Sequence, residues 1–284
     1  MTPKNPNLTA YDFLGYAVPG LAFLSLVDLS IIYHFNSANL TYINVCERYS
    51  AINLAGVIPL LLIAYLVGHV VSFCSSVLIE RHSTWMYGNP TSFLLGYEHP
   101  NYFDTGGKSP YWSKLFRFVT AVLLLPVTLI DFVFTKIIPL SSNYITALDP
   151  LLVHGFGYSS GKIMSKVGIK RVSSEEIKSL DLHSLAIHFS LEAAPNHVYS
   201  LRNYVVLYGF LRSISLIFVV VFWILLAHLN GLFLWWQVCL WSALIALTAY
   251  ILYAAFLKFR IRYHKEGIMA VIAASVILAN SKDE

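Results

Sequence analysis

The sequence predicts an all-α integral membrane protein with four transmembrane helices, one re-entrant or interfacial helix and a small helical cytoplasmic region. Three observations carry this. The chain is 57% apolar and only 12% charged, with a mean hydropathy of +0.65, whereas charged residues alone make up about a quarter of an ordinary soluble domain. Two apolar runs, Ser213 to Leu229 and Phe233 to Phe256, contain no charged residue and are separated only by Asn230, Gly231 and Leu232. Each is about long enough to cross the roughly 30 Å hydrocarbon layer as a helix, so 213–256 reads as a transmembrane hairpin. Finally, the basic residues are distributed asymmetrically around the apolar runs, which sets a topology.

Along the chain, a short polar segment around Lys4 lacks a small-residue cleavage site, which argues against a cleaved signal peptide. The first span follows at 13–35, with Pro19-Gly20 near its start and Asp28 inside it. A polar loop with Glu47 and Arg48 leads to a second span at 53–79, interrupted early by Pro59. These two spans form an N-terminal pair, 1–79. On the second span Ala64, Gly68, Ser72 and Ser76 recur every fourth residue, and Ser242, Ala246 and Ala254 form a weaker version on the last. Such stripes let helices approach closely where lipid supplies no hydrophobic drive, within one chain or between copies.

From 80 to 117 turn formers and aromatics dominate, which predicts a loop-rich cytoplasmic segment. Residues 118–138 are apolar except for Asp131 and Lys136, with Pro126 in the middle. Charge decides their role. With four spans and both termini inside, the outer loops hold only Arg48, and the other 18 of the 19 basic residues fall on the inner side or at its boundary. A fifth span would move a basic cluster outside. Residues 118–138 are therefore expected to form a re-entrant or interfacial helix bent at Pro126.

The stretch 139–212 is the longest hydrophilic one. Ser173 and Glu176 make a capping box for a helix over 172–194, stopped by Pro195. After the hairpin, 257–284 reads as a basic cytoplasmic helix with Lys258, Arg262 and Lys265 on one face. Arg202, Arg212, Lys258, Arg260, Arg262 and Lys265 are the expected contacts to anionic lipid headgroups, with Tyr204 and Tyr208 as interface anchors and Trp235, Trp236 and Trp241 as the outer aromatic belt.

Ionisable residues inside spans are costly and mark candidate functional positions; here they are Asp28, His69 and Asp131. Asp28 lies roughly 10 Å inside the outer boundary and His69 in the middle or inner half. His188 and Glu192 are one helical turn apart, but His183 is out of register, and no metal or nucleotide motif is present. No catalytic residue, metal or cofactor is expected. Cys46, Cys74 and Cys239 lack metal or disulfide spacing and read as small packing residues. The net charge of +4 comes from residues beside apolar runs, so direct nucleic-acid binding is not expected.

The function expected from this pattern is a non-enzymatic oligomeric membrane sensor, scaffold or pore-forming effector with a cytoplasmic protein partner, in a bacterial inner membrane. Antiviral defence effectors share such a layout by architectural analogy. The alternative is a proton- or ion-coupled carrier, or a lipid-acting enzyme, working through Asp28, His69 and Asp131.

Overall fold

The computed structural model describes residues 13–35, 54–97, 101–104, 110–137, 147–166, 187–189, 191–192, 196–227 and 235–280. Among the described residues all regular structure is helical, and four helices are long and apolar enough to cross a membrane. The apolar runs dictate this: a chain segment without water must close its own backbone hydrogen bonds, and a helix does so locally.

The first helix, α1 (Val18–Phe35), follows a π-helical turn over Phe13–Ala17. Helix α2 (Leu54–Ser75) contains Pro59 and runs into a second π-helical segment, Ser76–Glu80. Helix α3 (Arg81–Tyr87) follows directly. Gly88, at φ 84°, turns the chain into α4 (Pro90–Leu94), whose Thr91 amide is capped by the Asn89 side chain. Helices α5 (Pro110–Leu123) and α6 (Leu125–Phe132) are bent 86° apart. Helix α7 (Pro150–Lys166) starts on proline, and Asp149 Oδ1 accepts from the Leu151 amide at 2.8 Å. Two long helices complete the described chain: α8 (Asn196–Ala227), of 32 residues, and α9 (Trp235–Asn280), of 46. At 1.5 Å per residue α9 is about 69 Å long, more than twice a hydrocarbon layer.

Several expectations meet the structure here. The final span and the basic C-terminal helix are one unbroken helix, because nothing between Phe256 and Lys258 breaks helical hydrogen bonding. The third span likewise extends back to Asn196. The bend in 118–138 falls at Leu124, two residues before Pro126, since proline is accommodated in the first turn of the new helix. The Asn230–Leu232 turn, Cys46, His183 and the capping box at Ser173 lie outside the described residues. Of the helix expected over 172–194, residues 187–189 and 191–192 are described, and they are helical.

The chain divides into two compact units. The first comprises 1–82, 116–133 and 209–256. Its α1–α2 pair is packed backbone to backbone. A Cβ on Gly20 would lie 1.7 Å from the Ala64 carbonyl oxygen, and one on Gly68 would lie 1.9 Å from that of Tyr16. Ala64 and Gly68, the first two members of the small-residue stripe, thus mark where α1 approaches. In the same unit Ser215 Oγ donates to the Ala249 carbonyl at 3.0 Å, tying α8 to α9, and Ser242, Ala246 and Ala249 are buried.

The α5–α6 break is repaired within this unit. The Val127 and Thr128 amides both turn to the Leu124 carbonyl, at 2.9 Å each. The Leu123 carbonyl thereby loses the donor that a continuous helix would supply. The indole Nε1 of Trp223 on α8 donates to it at 2.8 Å, replacing the lost bond.

The second unit comprises 83–115, 134–208 and 257–284. Its core joins Leu94, Leu95, Leu148, Phe156, Ile163 and Ile268. These come from α4 and its C-cap, from α7 and the segment just before it, and from the charged end of α9.

Gly68→Ala is expected to destabilise the protein by about 1–3 kcal/mol or more, because the inserted methyl meets rigid backbone. Gly209→Ala, with no atom within 4 Å of the new Cβ, should leave the melting temperature in detergent unchanged or raise it.

Candidate functional site: a buried arginine cluster

The most chemically distinctive feature of the first unit is Arg212, 8% exposed although charged. It stands near the charge-free run of α8. Its Nη1 donates to Glu80 Oε2 in an ion pair. Its Nε donates to Ser75 Oγ at 3.1 Å, and Nη2 faces the Ser72 carbonyl and Oγ at 3.3 and 3.4 Å. Ser75 Oγ lies 3.3 Å from Ser213 Oγ, and Ser76 Oγ donates to Glu80 Oε2 at 3.4 Å. Every arm of the guanidinium is thus engaged, as burial of a charge demands.

Local structure explains why these groups meet. Ser72 and Ser75 on α2 and Ser76 just beyond it share a face at i, i+3 and i+4, and Glu80, four residues after Ser76, continues that face. The π-helical turn over Ser76–Glu80 is where the carboxylate joins the serines.

This site was only half visible in the sequence. Ser72 and Ser76 stood out as small packing residues, whereas here Ser72 faces the guanidinium and Ser76 supports the carboxylate. Arg212 was expected at lipid headgroups; the structure instead turns it inward onto Glu80, and an ion-paired, buried guanidinium is not presented to lipid. Arg260 departs in the same way. It is 9% exposed and, within the second unit, donates to Ser83 Oγ at 2.6 Å and Thr84 Oγ1 at 2.9 Å. Arg202, Arg262 and Lys265 are exposed, and Lys258 is half-buried. Glu80, Ser75 and Ser213 escaped sequence reading. The available signal was an acid and a base at the ends of two different apolar runs, each beside serines.

The membrane-embedded candidates do not converge on one another. His69 lies on the protein surface, its ring stacked 3.9 Å from Tyr16 and edge-on to Tyr65 at 4.6 Å. Asp131 is 2% exposed on α6, and Asp28 is half-buried on α1. His188 and Glu192 are exposed. Among the described residues no three His, Cys, Asp or Glu side chains are grouped to hold a metal. Tyr204 and Tyr208 pack on Phe259 and Tyr263, while Trp235, Trp236 and Trp241 are exposed.

In the second unit, two histidines join the helices. His197 Nδ1 lies 2.7 Å from Glu266 Oε1, and His264 Nδ1 lies 2.9 Å from Thr91 Oγ1. Burial, and secondarily the Arg260 charge, pulls the pKa of His264 down from 6.5 to about 4. A small cavity beside Arg260, lined by Ser83, Tyr87 and Phe93 among others, holds about 20 Å³, room for roughly one water. No family model, curated protein or solved structure matches the chain.

Two outcomes follow. Arg212→Met or Glu80→Gln alone should destabilise by an amount near or below the lower end of the about 3–5 kcal/mol typical of breaking a buried pair, because Glu80 keeps 27% side-chain exposure. The double variant should lose less than the sum, read from a double-mutant cycle of thermal unfolding. For His264, the unfolded chain takes up its proton first, so stability is full above about pH 6.5 and declines as the pH falls toward 4. His264→Gln should flatten that part of a melting-temperature profile.

Proposed function

We propose that the chain is a non-enzymatic polytopic membrane protein, an oligomeric sensor or scaffold that presents its second unit to a cytoplasmic protein partner. The four long apolar helices support the membrane location. The distribution of 18 of 19 basic residues supports four spans with both termini on the cytoplasmic side.

The observation that carries the sensor reading is the Arg212–Glu80 cluster. It joins α2 to α8 through a buried ion pair at a π-helical turn. Buried ion pairs are a weak source of net stability and are best attested in specifying one arrangement over another. A cluster that is satisfied in one helix register and broken in another is the element a two-state relay requires. Here α8 and α9 each run from one compact unit into the other, so a change in helix register has a covalent route between them. The small size of the second unit supports the need for a partner.

Mass measurement of the purified protein in nanodiscs tests this reading. A closed homo-oligomer is expected, and Arg212→Met should change its assembly or its partner binding more than Arg202→Met does. A monomer whose behaviour is indifferent to Arg212 would overturn the proposal. Ion flux across liposomes containing the pure protein would replace the scaffold with a pore.

A further inference from the structure

Helix α5 is amphipathic the wrong way round for a water-soluble surface. Its outward residues include Tyr111, Trp112, Phe116, Phe118, Val119 and Val122, with Trp112 72% and Phe118 58% exposed. At about 100° per residue these positions fall within an arc of about 160°. The opposite arc carries Ser113 and Arg117, both half-buried, and Thr120, fully buried. Lys114 is exposed at the margin between the two. A broad, continuous apolar arc turned outward, with the polar groups turned inward, calls for an apolar surrounding.

Length and charge then decide how the helix meets that surrounding. Fourteen residues of α5 measure about 21 Å, and α6 with the π-helical segment Val133–Ile137 that continues it at most about 20 Å, so neither leg crosses a roughly 30 Å layer. With an 86° bend between them, at most one leg follows the membrane normal. A transverse α5 would carry Lys114 and Arg117 into hydrocarbon. Laid flat, α5 keeps Lys114 at headgroup level, where a long basic side chain reaches lipid phosphates, and sets Tyr111 and Trp112 at the interface that aromatic residues favour. The other leg, α6, carries no basic residue itself, its single acid, Asp131, is buried, and the first basic residue beyond it is Lys136, near the far end of the π-helical segment Val133–Ile137 that continues it.

We infer that α5 binds the phospholipid interface, lying in the plane of the inner leaflet with its apolar arc among the upper acyl chains, while α6 dips into the hydrocarbon. The arc continues onto α6 through exposed Leu125, Leu129 and Phe132, so a single lipid-facing surface turns the corner at Leu124. This rests on the membrane reading proposed above. It adds a defined lipid-binding surface, and it resolves the bent pair as an interfacial leg plus a dipping leg.

Spin-label accessibility tests it. The full chain, with Cys46, Cys74 and Cys239 replaced by serine, is reconstituted in phosphatidylcholine–phosphatidylglycerol vesicles. Single nitroxides are placed through Trp112→Cys, Phe116→Cys, Val119→Cys, Ser113→Cys, Leu129→Cys and, on α9, Ile251→Cys. The arc labels should favour oxygen over a water-soluble nickel chelate and report one common depth within the about 5–10 Å interfacial band. Leu129→Cys should read deeper, and Ser113→Cys should collide less with oxygen. Depth that increases by about 10 Å from 112 to 119, the rise of seven residues, would overturn the in-plane placement. Arc labels open to the nickel chelate while Ile251→Cys remains lipid-exposed would overturn lipid binding by α5 alone. If Ile251→Cys is itself open to the chelate, the membrane reading fails and this inference with it.

Discussion

The structure depends first on hydrogen-bond closure in an apolar setting. A chain that is 57% apolar, with four helices long and apolar enough to cross a membrane, has long stretches suited to surroundings without water, where an unpaired amide or carbonyl would cost several kcal/mol. Helices meet this demand everywhere except at breaks, so the breaks are where side chains must intervene. At Leu124 the repair is made by Trp223, whose indole replaces the amide that the bend removed from the Leu123 carbonyl. The tryptophan is therefore a backbone substitute as much as an apolar surface residue.

The same logic governs the charges. Arg212 can be buried only because α2 offers two hydroxyls and a carbonyl, and the π-helical turn after it a carboxylate, within reach of one guanidinium. In the second unit Arg260 is held by Ser83 and Thr84, and His264 by Thr91. Hydroxyls of serine and threonine recur as partners because they are small enough to sit on a helix face without separating the helices. Close approach and polar satisfaction are thus solved by one class of residue. Gly20 and Gly68 take this furthest, removing the side chain so that α1 and α2 meet through their backbones.

Much of the fold was legible from local pattern. The number of long apolar helices, the position of the first two of them, and a bend between 118 and 138 follow from run length and from proline chemistry, which are properties of short segments. The continuity of α8 and α9 past the ends of their apolar runs was less visible. Charged residues such as Lys258, Arg260 and Arg262 end a hydrophobic run without ending a helix, since lysine and arginine are good helix formers. Pattern analysis finds where lipid compatibility stops, which is a different place from where hydrogen bonding stops.

The sequence by itself determined that this protein is helical, that four of its helices are long and apolar enough for a bilayer, and that its cations gather beside those helices. Only the tertiary structure decided which cations are structural. Arg202, Arg212, Arg260 and Arg262 have the same chemistry and similar neighbours along the chain, yet two are buried and two exposed. The difference lies in azimuth around the helix, and in partners distant in sequence: Glu80 is 132 residues from Arg212. Length and composition are sums over neighbouring residues, whereas a buried ion pair exists only once two remote helix faces have been brought into register by packing.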